Sequence, residues 1–600
     1  MPRDVHSHAR PEEARVTHLG LALEVDFTHQ VLRGTATLDL DVTAGAHRVV
    51  LDARRLDIRS ITDEAGQPLS FALSAEDPIL GSALVVELPA GCRRVVIAYA
   101  TTPGADALQW LNPEQTAGGV HPFVFTQGQP IFARTWIPIQ DSPGVRFTYH
   151  ARITAPAPLT ALMSAERVPR SADESPGVFH FRMNEPIPAY LVALVVGDIA
   201  MRELGPRTAV FAEPSVVERA AHELVDVERM VDAAEVLVGP YRWGRFDVVI
   251  MPPAFPYGGM ENPRLVFASP TLIAGDRSLV TVFAHELAHA WAGNLVINAT
   301  WNDFWLNEGT TVYLELRINE VLWGEDRAAM LKDWGYRELT GVVAQMGATS
   351  PDTRLHHDLT GRDPAEGVTV VPYLKGAAFF WTLERVVGRA RLDAWLRGWF
   401  DRQGFRSVTT ETFLHDVRQH LLGGADAGAI DLERWLFAPG LPSEAEPPRS
   451  VLLTRVDEVA RAWSAGTRAR SLEVTGWTPQ QWRHFLALVH ARVPSLAAVE
   501  DLDEAFALSS SGNAEVLAPW LRIEAMVQRE AAVPRLERFL VGNGRLKYLR
   551  PIYAELLASD WGRPIAKRVY ATARARYHAL ARGSLDRLFA AQGAAAPSVS

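Results

Sequence analysis

Between residues 38 and 42 the chain reads LDLDV, and apolar Leu38, Leu40 and Val42 alternate with Asp39 and Asp41. Phe147, Tyr149, Ala151 and Ile153 alternate with polar neighbours in the same way. A period of two marks a strand with one face buried. Turn-rich breaks such as TAGAH and TTPGAD separate these runs, so residues 1–200 read as an antiparallel all-β domain. The strongest apolar run, AYLVALVVG at 189–197, is only strand-length.

Near residue 215 the period changes. VVERAAHELVDVERMVDAAEVL, 216–237, predicts one long amphipathic helix. FDVVIMPP at 246–253 predicts a short strand, and helical segments follow around 279–292, 308–322 and 374–387. Residues 201–437 therefore form an α-rich middle domain. APGLPSEAEPP, 438–448, has four prolines and no periodicity, which marks a linker over 438–450. From 451 to 600 the pattern is helical, with Ile565, Val569, Ala573 and Tyr577 on one stripe. Paired helices with short breaks predict a small solenoid-like bundle. The tail AAQGAAAPSVS, 590–600, is expected to fray. The fold class is multidomain α+β.

Six hundred residues exceed a single core. The 48% apolar and 22% charged fractions are those of a soluble globular protein. A net charge of −10 without a basic stripe argues against nucleic acid and anionic membranes as partners. The single cysteine, Cys92, excludes an intramolecular disulfide and fits a reducing compartment. MPRDVHSHARPEEARV has no apolar h-region, so no signal peptide is expected, and the expected location is cytoplasmic. Only four of the 60 basic residues are lysines, which makes Lys547 slightly more informative than a lysine usually is.

Chemistry enters at HELAH, 285–289, followed nineteen residues later by Glu308 in NEG. Positions i and i+4 share a helix face, so His285 and His289 can offer two imidazole nitrogens to one ion. Zinc takes nitrogen and oxygen ligands tetrahedrally, and a catalytic site has three protein ligands with a fourth position for water. Glu308 can supply the third ligand from a second helix. Glu286 follows the first ligand and is angled off the ligand face, which suits a base acting on activated water. Glu315, two turns beyond Glu308, can orient a ligand histidine through its ring N–H. An exposed helix face carrying histidines is the plain alternative, and NEG at the right distance argues against it.

Longer motifs carry a resemblance. FPYGGMENP, SPTLIAGDRSL, AHELAHAWAGNLV, FWLNEGTTVYLE, VPYLKG and GRLKYLRP occur in that order over most of the chain. Together they resemble the gluzincin zinc aminopeptidases related to aminopeptidase N, and within them the leukotriene A4 hydrolase branch with its bacterial aminopeptidases. The resemblance implies a β-saddle, a thermolysin-like catalytic domain and an α-helical domain, with the site between them. It implies one zinc held by His285, His289 and Glu308, with Glu286 as general base. Tyr373 matches the donor to the tetrahedral oxyanion. Glu261 matches the carboxylate that grips a substrate's free α-amine, with Gln129 beside it. Gly258, Gly259 and Met260 match the substrate-binding edge, and Tyr257 a wall of the first side-chain pocket. Arg545 and Lys547 match the pair that holds a peptide's carboxylate.

The implied reaction is removal of the N-terminal residue from short peptides, tripeptides best, by a monomer with no nucleic-acid or membrane partner. The alternative is epoxide hydrolysis of the leukotriene A4 hydrolase type in the same pocket. That branch carries an aspartate eight residues before the oxyanion tyrosine and a tyrosine five before it. Here those positions are Ala365 and Val368, with Glu366 offset by one. A zinc endopeptidase and an inactive binding scaffold are the remaining readings. The first would cleave N-acetylated peptides, and the second has no need of all three intact motifs.

Overall fold

The computed structural model describes residues 3–171, 174–423, 426 and 428–594. The N-terminal part is built on a seven-stranded sheet around Ala14–Asp26 and Val31–Val42. A four-stranded and a three-stranded sheet complete it. Along Arg146–Thr154 the apolar positions Phe147, Tyr149, Ala151 and Ile153 are all buried, as the alternation predicts.

One pairing departs from the antiparallel pattern. Ala14–Asp26 runs parallel to Arg146–Thr154. Parallel neighbours need a long crossover rather than a hairpin, and the intervening strands supply one. The run at 189–197 is a 3₁₀ turn, Ala189–Leu191, followed by strand Leu194–Gly197. Every residue of that strand is buried, so the run is uniformly apolar rather than alternating.

The middle part has a five-stranded sheet that includes Phe246–Ile250 and the two-residue strand Gly259–Met260. The long helix predicted over 216–237 is two helices, Val217–Glu223 and Val227–Val238. Between them Leu224 and Val227 bury completely while Val225 faces solvent. Val227 N–H donates to the Leu224 carbonyl at 3.0 Å, an i to i+3 turn bond that interrupts the i to i+4 ladder. Helices Thr281–Ala288, Trp305–Trp323 and Val370–Val387 occupy the other predicted segments.

The C-terminal part is helical from Val451–Ser464 to Ala579–Ala594. Residues 590–594 finish that last helix, and the rest of the tail expected to fray lies outside the described residues. The proline-rich segment at 438–448 is tied down. Tyr336 Oη donates to the Ala445 carbonyl at 2.8 Å, and Arg385 to that of Glu444 at 2.8 Å.

One apolar core runs through the β-rich and middle parts, whereas the helical part has two clusters of its own. The bundle docks through backbone: Gly544 N–H donates to the Pro253 carbonyl (2.7 Å) and Leu546 N–H to that of Pro256 (3.1 Å). These two bonds carry Arg545 to the edge of the GGMEN segment. Among the described residues no helix is long and apolar enough to cross a membrane.

Candidate active site

His285 lies in the last turn of Thr281–Ala288, and His289 caps that helix. Their rings sit edge to face with centroids 4.8 Å apart, and their Nε2 atoms are 3.2 Å apart. The other ring nitrogens are engaged. His285 Nδ1 is 3.0 Å from Glu315 Oε2, and His289 Nδ1 is 3.0 Å from the Ala292 carbonyl. Each acceptor suits an Nδ1–H donor, the tautomer in which both Nε2 atoms point to one place and can bind an ion. Glu308 Oε2 closes the triangle at 3.4 and 3.6 Å from the two Nε2 atoms.

Glu308 Oε2 is buried with no hydrogen-bond partner. A buried, unpartnered carboxylate oxygen costs folding free energy unless something positive meets it. Three ligand atoms within 4.8 Å of one another, two nitrogens and one oxygen, fit a zinc ion. Burial pushes His289 down to about 4, which keeps it a neutral ligand. Burial also raises Glu261, to about 8, and Glu286, to about 7, with neighbouring carboxylates adding to the shift. A doubly charged cation among these carboxylates opposes that shift.

Glycines set the spacing. A Cβ on Gly309 would lie 2.6 Å from Gly376 Cα, and the reverse holds. The helices of NEG and VPYLKG therefore cross at backbone contact, which brings Tyr373 beside Glu308's helix. Thr369 caps the second helix by accepting from Val371 N–H, so Tyr373 sits in its first turns. The Tyr373 ring stacks over His285, with centroids 6.3 Å apart and 14° between planes. Burial, then Glu308 and Glu261, push its pKa well up, so its hydroxyl stays a neutral donor.

The GGMEN glycines have separate reasons. A Cβ on Gly259 would fall 2.0 Å from Glu286 Oε1, and one on Gly258 2.5 Å from Arg545 Nη2. Only bare backbone fits between base and guanidinium. Glu261 is buried, and its Oε1 accepts from Gln129 Nε2 at 3.4 Å. Asn294, from the segment after HELAH, donates to the Glu261 carbonyl at 2.8 Å. Met260 turns its side chain inward, where its sulfur meets Gln127 Nε2 at 3.0 Å, so only its backbone can face substrate. Glu261, Glu286 and His289 also form a compact group, which places the amine-gripping candidate beside the candidate base.

Of these groups Tyr257, Gly258, His285 and Tyr373 line a cavity of about 880 Å³, with Arg545 and Lys547 further along. The two cations have protein partners. Lys547 Nζ is 2.6 Å from Glu515 Oε1. Arg545 Nη1 donates to Thr271 Oγ1 (3.1 Å) and Tyr548 Oη (3.0 Å), and lies 3.7 Å from Glu515. Arg483 joins at 3.2 Å from Glu515 Oε2. Burial opposes ionisation of Glu515, but Lys547, Arg483 and Arg545 hold its pKa far below the usual range.

Sequence reasoning missed Glu515, in the first turn of Ala514–Met526, and Arg483, on Pro479–Ala491. It also missed Tyr190, whose hydroxyl is buried without a partner in the β-rich part. No motif marks any of the three.

Family models match three consecutive stretches: the peptidase M1 N-terminal domain over residues 15–191, the peptidase family M1 domain over 223–435, and the leukotriene A4 hydrolase C-terminal domain over 477–589. The chain is 36% identical to leukotriene A-4 hydrolase of Xenopus laevis, covering 92% of this chain and 93% of that one. It is 35% identical to leucine aminopeptidase 2 of Yarrowia lipolytica, over 98% and 93%.

The chain belongs to peptidase family M1. As a member it is a zinc aminopeptidase, a hydrolase acting on peptide substrates. Its three-part architecture is that of the leukotriene A4 hydrolase fold. The structure of the yeast leukotriene A4 hydrolase with bestatin superposes with a TM-score of 0.91 at 30% identity, over 98% of this chain and 97% of that one. An M1 zinc metallopeptidase from Deinococcus radiodurans shares the fold at 23% identity and a TM-score of 0.59, over 75% of this chain and 99% of that one.

Proposed function

We propose that this M1 enzyme removes the N-terminal residue from short peptides, with tripeptides favoured, and that His285, His289 and Glu308 hold its zinc. The observation that carries the reading is the orphaned Glu308 oxygen facing the two Nε2 atoms, with Glu261 on the same side. When bound there, zinc supplies a Lewis acid that favours ionisation of water and polarises the scissile carbonyl.

The chain's own groups do the rest. Glu261 pairs with the substrate's ammonium, and Gln129 holds that carboxylate in place. A buried carboxylate with one hydrogen bond welcomes a cation and rejects an N-acetylated end. Glu286 takes a proton from the attacking water and returns it to the leaving amine. Tyr373 donates to the oxygen that gains charge. Arg545 and Lys547 attract the peptide's carboxylate at the far end, which sets a length of about three residues. The domain limits we assign are 1–200, 201–437 and 451–600, joined by 438–450. The single cysteine and the net charge of −10 without a basic stripe support a cytoplasmic enzyme that binds neither nucleic acid nor an anionic membrane, and we propose that it acts as a monomer.

Epoxide opening of the leukotriene A4 hydrolase type is the weaker reading for this chain. Ala365 has no acid, and Glu366 is exposed and paired with Arg362 at 3.0 Å. Asp363 caps its own turn by accepting from Ala365 N–H. A panel of aminoacyl-coumarins, tripeptides and N-acetylated tripeptides, with and without chelator, tests the proposal. Free N-termini should be cleaved and acetylated ones refused. Equal cleavage of both would replace the aminopeptidase with an endopeptidase.

A further inference from the structure

The far end of the cavity holds more positive charge than one carboxylate terminus can use. Arg483, Arg545 and Lys547 share the single carboxylate of Glu515, and all four line the cavity. Glu515 also accepts from Tyr548 Oη at 2.7 Å, which completes its hydrogen bonding and fixes it as an ion. Burial and then Arg483 lower Lys547 to about 7, so between one and two positive charges remain uncompensated near neutral pH, both guanidiniums among them. Arg550, Glu338 and Glu315 line the same cavity; Arg550 and Glu338 cancel, and Glu315 is engaged 3.0 Å from His285 Nδ1 at the metal end, so the excess at this end stands.

The surplus is held in two places. Arg545 lies against Gly258 on the peptide edge of the cleft. Arg483 lies on the other wall, its guanidinium 4.1 Å over the Trp334 ring and a quarter exposed. Stacking on an indole keeps a guanidinium's N–H groups free at its rim. Arg483 spends one such group on Glu515 and keeps the rest for a ligand.

We propose that this end of the cleft accepts two carboxylates, so that the enzyme prefers tripeptides whose third residue is aspartate or glutamate. Arg545 and Lys547 take the α-carboxylate, and Arg483 takes the side-chain carboxylate. Arg483 is thus a specificity-determining residue of the peptidase reaction. The inference rests on the aminopeptidase reading above.

The test compares kcat/KM for Ala-Ala-Glu and Ala-Ala-Gln, which differ by one charge and little else. The wild-type enzyme should favour the glutamate peptide about tenfold, equivalent to about 1.4 kcal/mol. The advantage should shrink as salt rises, because the groups at this mouth are partly solvated. Arg483→Gln should bring the ratio close to one, and Arg483→Lys should keep part of it. A purely structural role for Arg483 would lower both rates together and leave the ratio intact. A wild-type ratio near one, or a ratio unchanged in Arg483→Gln, overturns the proposal. Wild-type hydrolysis of alanyl-coumarin is measured alongside. If that substrate is cleaved while the ratio is one, only the acidic-end preference falls; if it is not, the aminopeptidase reading falls with it.

Discussion

At the metal end of the cleft, His285, Glu286, His289 and Glu308 lie within 23 residues of one another along the chain, and Glu261 is 24 before the first. At the cationic end, Arg483, Glu515 and Arg545 come from segments spread over more than 60 residues of helical bundle. The metal end has buried polar atoms left over, Glu308 Oε2 among them. The cationic end has its charges partly satisfied already by Glu515. An end built to hold an ion is left incomplete by the protein alone. An end built to select among peptides is held in a set shape and charge by internal pairing.

The strongest blow to that contrast falls on the base. Glu286→Gln should retain zinc and lower kcat by about a thousandfold or more on every substrate, since general base catalysis contributes about 10²–10⁴. Metal analysis and aminoacyl-coumarin kinetics on the same sample check it. Residual activity above a few per cent with zinc in place would move the base elsewhere.

Metal removal sharpens the charge argument. In the metal-free protein burial holds Glu286 at about 7 and Glu261 at about 8, against about 4.3 for an unfolded glutamate. Between those values the folded state binds more protons than the unfolded one. Stability of the metal-free protein therefore falls as pH rises from about 4.3 towards 8. Chelation should lower Tm by several degrees more at pH 8.5 than at pH 5.5, read by calorimetry. A chelator effect that is the same at both pH values would mean the carboxylates do not carry the stress.

The metal end was legible because a helix turn and a helix pair translate short sequence spacings into one point in space. HELAH fixes two ligands by the 3.6-residue period, and NEG can only return beside them. Even the motif glycines can be explained afterwards by contact, Gly259 against Glu286 and Gly309 against Gly376. The cationic end was half legible. GRLKYLRP named Arg545 and Lys547, but nothing local says that Glu515 and Arg483 meet them, because that meeting depends on how three helices stack. The parallel pairing of Ala14–Asp26 with Arg146–Thr154 was hidden for the same reason. The alternating pattern specifies which face is buried, not which neighbour lies alongside or its direction. The break at 224–226 hid inside a pattern that remained amphipathic on both sides.

Two substitutions then probe the ends by shape and by charge. Gly259→Ala puts a methyl group where Glu286 Oε1 now lies, and displacing a base by about 1 Å can cost about a hundredfold in kcat. Zinc content and Tm should change little by comparison, which separates misplacement from unfolding. Arg545→Ala should raise KM by about tenfold on tripeptides and by much less on aminoacyl-coumarins, which have no carboxylate to lose. Equal losses on both substrate types would return Arg545 to a structural role beside Thr271 and Tyr548.

Gln129 gives the smallest effect and the finest discrimination. It is the candidate at the metal end that comes from the β-rich part, more than 130 residues before Glu261. Its contact with Glu261 is long, 3.4 Å, and neutral to charged at best. A hydrogen bond of that quality contributes on the order of 1 kcal/mol, so Gln129→Ala should raise KM about fivefold with kcat nearly kept. Glu261→Gln removes the charge itself and should cost far more. If the two substitutions proved equal, the amine would be held by a pair supplied from two domains. The rule that the metal end is assembled from nearby sequence would then fail at the one position where the chain already reaches across.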